Sequence, residues 1–149
     1  MIALKGDAAE VALGEAQAVL ALVQDGERRG RLADLVAAVQ EGELGDDEAQ
    51  ALEELIELGL STGRIRSIYG PEGEQAALKT FRKLPGGRAL SESATEVTDA
   101  LAALEGKTLE QVSLNAVGPG AYTLNLVVEG RELSIRLDRS GARINSIVA

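Results

Sequence analysis

Residues 112–148 read VSLNAVGPGAYTLNLVVEGRELSIRLDRSGARINSIV. This stretch decides the fold, because its apolar residues recur with period 2. Val112, Leu114 and Ala116 alternate with Ser113 and Asn115. Tyr122, Leu124, Leu126 and Val128 alternate with Thr123 and Asn125. Leu133, Ile135 and Leu137 alternate with Ser134, Arg136 and Asp138. Strict alternation is the mark of a half-buried strand, since successive side chains point to opposite faces. Gly118-Pro119-Gly120, Glu129-Gly130 and Ser140-Gly141 separate the runs as turns, and a last strand covers residues 142–148. Four short strands with short turns predict an antiparallel meander with one apolar face.

Upstream the period changes to that of a helix. Val97, Leu101 and Leu104 share one face of a segment ending near Glu105 and Gly106. Ser93 and Glu96 have the spacing of a capping box at its start. This helix is expected to cover the apolar sheet face. Before it stands Pro85-Gly86-Gly87, the strongest break in the chain. The expected organisation is therefore a helical domain over residues 1–84, a linker over 85–90, and a helix-plus-meander domain over 91–149. The fold class is α+β.

The first part reads as four to five helices. Leu13, Ala16, Leu20 and Val23 mark the first, closed by Asp25-Gly26. Glu27 to Arg31 read as a charged connection. Leu32, Leu35, Val36 and Val39 mark a second helix, ended by Gly42 and Gly45. Asp46 or Asp47 is placed to cap a third, where a carboxylate accepts free N–H bonds and suits the helix dipole. Its inner face is Leu52, Leu55, Ile56 and Leu58, and Gly59 is a candidate left-handed C-cap. Residues 60–70 admit a helix or a short strand; Ile65, Ile68 and Tyr69, spaced 3 and 4 apart, favour the helix. Pro71 suits the first turn of another helix, with Ala77, Leu78, Phe81 and Leu84 on one face and Lys79, Arg82 and Lys83 on the other.

Composition removes most chemistry. The 149 residues include no cysteine, no histidine and no tryptophan. Thiol or histidine nucleophile systems, zinc sites and haem ligation by these residues are excluded. Glu53, Glu54 and Glu57 cluster on one helix, but a di-metal carboxylate site adds histidines, so they read as a solvated helix face. Gly118-Pro119-Gly120 lacks the third glycine of a dinucleotide loop, and Gly106-Lys107-Thr108 lacks the upstream glycine of a phosphate loop. No catalytic set, metal site or cofactor is expected. No apolar run approaches a membrane span, and Asp7, Glu10 and Glu15 interrupt any leader-like stretch, so a cytoplasmic protein is expected.

The net charge of −9 is unevenly spread. Residues 1–61 hold 4 bases and 14 acids, residues 62–90 hold 6 and 2, and residues 91–149 hold 5 and 8. The basic middle is the one site-like feature of the sequence. Arg64, Arg66, Tyr69, Lys79, Arg82 and Lys83 are the candidate contacts for an anion or an acidic partner, with pairing to the acidic helices as the competing reading. The polar sheet face, Ser113, Asn115, Thr123, Asn125, Ser134 and Arg136, carries little charge. Depletion of charge marks interface cores, so this face is a second candidate interface.

Residues 32–84 resemble the order of elements in winged-helix transcription regulators. Leu32–Val39 and Asp47–Leu58 would be the two helices, followed by Arg64 and Arg66 and by Tyr69-Gly70-Pro71-Glu72-Gly73. The resemblance implies nucleic-acid contact through the basic 62–88 segment. The net acidity disfavours such a partner, since phosphate contact draws on Lys and Arg. The leading expectation is a non-catalytic interaction or assembly module, a homodimer or the partner of an acidic protein surface.

Overall fold

The computed structural model describes residues 1–148. The fold is α+β: five helices are followed by a four-stranded antiparallel sheet, with a small two-stranded sheet near the start. The chain divides into two compact units, Met1–Arg88 and Ala89–Ala149.

In the first unit, β1 (Ile2–Ala3) pairs antiparallel with β2 (Glu43–Leu44). Between them lie α1 (Asp7–Leu20) and α2 (Gly26–Glu41); α3 (Asp46–Ser61) and α4 (Arg64–Lys83) follow. The apolar stripes close on one core that includes Leu35, Leu44, Leu52, Ile56, Ile65 and Leu84, all nearly inaccessible to water. Several boundaries differ from expectation. Residues 27–31 are not a connection but the first turns of α2, because Asp25 caps the helix by accepting the Arg28 N–H at 2.8 Å. The cap of α3 is Gly45 rather than Asp46 or Asp47, and those acids occupy the first turn. Gly59 is not a C-cap: it is buried inside α3, where an added Cβ would lie 2.7 Å from the Ile65 side chain. The left-handed residue that ends the helix is Gly63, with φ 75°. Residues 64–69 are helical, as their spacing favoured. Gly70, with φ 73° and ψ −175°, kinks α4, and Pro71 restarts it.

The second unit contains most of α5 (Pro85–Ala102) and the meander β3 (Leu109–Gly118), β4 (Ala121–Val128), β5 (Arg131–Asp138) and β6 (Gly141–Val148), in spatial order β3-β4-β5-β6. The expected linker, residues 85–90, is helix. Pro85 needs no N–H partner in a first turn, and a Cβ on Gly87 would overlap the Phe81 carbonyl, so this glycine lets the turn fold against the end of α4. The capping box is likewise corrected. Ser93 lies inside α5, where its hydroxyl donates to the Leu90 carbonyl at 2.8 Å and accepts the Ala142 N–H at 3.2 Å. It ties the helix to β6 instead of starting it. The sheet follows the alternation closely, and Glu129 and Gly130, both at positive φ, form the β4–β5 turn.

Candidate functional site

The six basic-segment candidates do not form one site. Arg64 and Tyr69 converge on Glu15 of α1. The Arg64 Nε lies 3.3 Å from Glu15 Oε1, and Glu15 is only 3% exposed. The Tyr69 hydroxyl donates to the same carboxylate and rests against Gly14, where any Cβ would overlap it. Burial first, and then the Glu15 charge, raise the Tyr69 pKa above the ordinary phenol value. A carboxylate inside a helical core is costly unless paired and hydrogen-bonded. Arg64 and Tyr69 supply both requirements, so here the basic middle serves the fold.

Arg66 pairs with Glu74 of its own helix at 3.3 Å, across the Gly70 kink. Lys79 and Lys83 line an open groove of about 540 Å³ together with Lys5, Asp7 and Glu72. Arg82 is exposed and lies outside that groove. Among the described residues, neither these two lysines nor Arg82 forms an ion pair within 4.0 Å. A second cleft of about 600 Å³ lies between α2 and α3, where Arg28 and Arg31 face Asp34, Asp47 and Glu54 over Leu55. The clustered glutamates of α3 are dispersed: Glu53 lies against Gly86, Glu54 lines this cleft and Glu57 is exposed. Residues 64–69 being helical, they form no two-stranded wing.

The sheet-face candidates, by contrast, are brought together. Ser113, Asn125, Ser134 and Ser146 form one rung across the four strands, and Asn115, Thr123, Arg136 and Arg143 form the next. Both arginines are held by Asp138, Arg136 at 3.1 Å and Arg143 at 3.2 Å. Hydrogen bonds from Ser140 and then Arg136 lower the Asp138 pKa to about 2. Two of the face's cations are thus partly neutralised within it.

The other face carries a feature that the sequence reading missed. Its rungs are Val112–Leu126–Leu133–Ile147, Leu114–Leu124–Ile135–Ile144 and Ala116–Tyr122–Leu137–Ala142. Val97 of α5 forms a buried cluster with Leu133 and Ile135, and Leu101, Leu104, Leu124, Leu126 and Ile144 pack against that cluster. Coverage fails at the edges: Ile147 of β6 is 67% exposed, and toward β3 two successive rungs open. Along the middle rung exposure climbs from 1% at Ile135, through half-buried Leu124, to 60% at Leu114. Val112 is 53% exposed. Simple dimensions could have revealed this. Strands lie about 4.8 Å apart and a helix is about 10 Å wide, so one helix covers roughly two of four strands.

Compared with models of known protein families, with curated proteins and with solved structures, the chain matches none. Among the described residues no helix is long and apolar enough to cross a membrane.

Proposed function

We propose that the chain is a non-catalytic protein-interaction and assembly module whose sheet unit supplies the contact surface. The observation that carries this reading is the uncovered β3 side of the apolar sheet face, where Val112 and Leu114 stand in water beside a half-covered core. A contiguous apolar strip rimmed by polar residues is a typical protein contact surface. The low-charge rungs on the reverse face extend the same surface around the β3 edge. Lys79, Arg82 and Lys83 remain available for an acidic partner surface. Arg64 and Arg66 serve that role less well, because Glu15 and Glu74 already engage them.

A photo-reactive residue at position 114 of the 149-residue chain tests the reading in cells that express it. It is expected to crosslink to protein, either a copy or another chain, well above the level from exposed position 17 on α1. Equal crosslinking at the two positions overturns the proposal.

A further inference from the structure

We propose, resting on the reading of the sheet unit as a contact surface, that the occupant of the uncovered strand is β3 of a second copy. The two strands pair antiparallel, edge to edge, across a two-fold axis. β3 and β6 are the two edges of the sheet. A free edge presents unpaired N–H and C=O groups, and folded proteins blunt such edges with short strands, lysine, proline or bulges. β6 is blunted: it carries Arg143, and its register with β5 shifts between Ser134 and Ile135. β3 is ten residues long, and its register with β4 is regular from Gln111 to Ala116, with shifts only at its ends. Between residues 111 and 117 it contains no charge and no proline.

The strand is complementary to itself. A two-fold axis through Ser113 sets Val112 against the partner's Leu114 twice, and Gln111 against the partner's Asn115. An axis through Leu114 sets Val112 against the partner's Ala116, and Ser113 against the partner's Asn115. Around either axis the central positions match in kind, apolar on one face and polar on the other, because directly opposed side chains share a face. Toward the ends an axis through Leu114 sets Gln111 against the partner's Val117. Charge selects the same segment. A chain of net charge −9 repels its copies, and β3 offers a neutral contact. Its one charge, Glu110, falls opposite the partner's Ala116 or Gly118 and never opposite another acid. The contact also closes: β3 on β3 is isologous and stops at two copies, whereas β3 on β6 would propagate. The product is a continuous eight-stranded sheet with both α5 helices on one side.

The absence of native cysteine makes the test clean. Ser113→Cys and Leu114→Cys each introduce a single thiol, and opposed Cα atoms of an antiparallel pair lie about 4.5–5.5 Å apart, within disulfide reach. Light scattering at micromolar concentration is expected to give twice the 15.5 kDa chain mass. One of the two cysteine variants is expected to form a covalent dimer on mild oxidation. Leu114→Lys and Val112→Lys alter side chains already exposed in the single chain. Both are expected to halve the mass with an unchanged circular dichroism spectrum. A dimer that survives both lysine variants overturns the proposal, as does failure of both cysteines to crosslink. A monomer whose position 114 crosslinks to a different protein overturns the self-pairing and leaves the interaction reading standing. A monomer with no such crosslink removes both.

Discussion

Leu52 of the helical unit and Leu114 of the sheet unit are the same side chain in opposite circumstances. Leu52 is fully buried, and Leu114 is 60% exposed. Among the described residues, fifteen buried apolar residues form the helical core, and only Val97, Leu133 and Ile135 form that of the sheet unit. Four amphipathic helices can surround a common centre, each shielding its neighbours. A four-stranded sheet with one helix leaves part of one face in water. The contrast teaches that the two units use apolar surface differently: one spends it on its own stability, and the other keeps a strip available.

The largest expected effect breaks or upholds this contrast directly. Leu52→Ala should cost about 2–5 kcal/mol, the transfer term plus the cavity left in a closed core. Leu114→Ala should cost the single chain less than about 0.5 kcal/mol, as surface changes do. Urea midpoints measured at dilute concentration compare them. Equal losses would mean that Leu114 is packed and that the uncovered strip does not exist.

A second test concerns the buried charge that only the helical unit contains. Arg64→Ala strands the Glu15 carboxylate in the core, and the expected loss is about 2 kcal/mol, below a fully buried pair because Arg64 is partly exposed. Replacing both charges, as Glu15→Leu with Arg64→Met, should recover part of it: the two apolar side chains need no hydrogen bonds, while the Tyr69 hydroxyl loses its acceptor. If the double variant melts as early as the single one, the pair is not what holds α1 to α4.

These features differ in how legible they are from sequence. The meander could be read from period 2 alone, because each strand's alternation and turn residues are local. The helix at residues 64–69 followed from the spacing of Ile65, Ile68 and Tyr69. Glu15 could not be recognised as a core residue, because its partners lie 49 and 54 positions away and a carboxylate reads as surface. For Arg64 the competing reading, pairing of the basic middle with the acidic helices, matches its contact with Glu15, but the charge count alone does not say which acid is the partner. Gly87 was read as a breaker because a glycine needed for close approach has the same letter as one needed for a turn. The polar rungs of the sheet were legible, being fixed by parity; the bare β3 strip needed the width of a helix set against the width of a sheet.

Extremes of pH should act on the two units separately. The folded state holds the Tyr69 proton more tightly than the unfolded chain does. Its contribution is complete below the ordinary phenol pKa of about 10 and is lost as pH rises through the higher folded value. Alkali should therefore loosen α1 and α4 first, and Tyr69→Phe should remove that slope. Asp138 has the opposite sign. Its contribution is present above 3.8 and is lost as pH falls toward about 2, so acid should loosen the β5–β6 turn, and Asp138→Asn should flatten the response. Hydrogen exchange resolved by segment checks both. Alkaline loosening confined to the sheet would contradict the assignment.

The smallest expected effect probes how far a local gain spreads. Gly30 lies in α2 with nothing within 4 Å of an added Cβ and with φ outside the left-handed range. Gly30→Ala removes backbone freedom from the unfolded chain and should stabilise the helix by about 0.5–1 kcal/mol. If the helical unit keeps its own core, amide protection should rise in α1 to α4 and stay level in β4 and β5. A matching rise in the sheet strands would show that the units open together, and the thin core of the sheet unit would then be held partly by the stability of the helices.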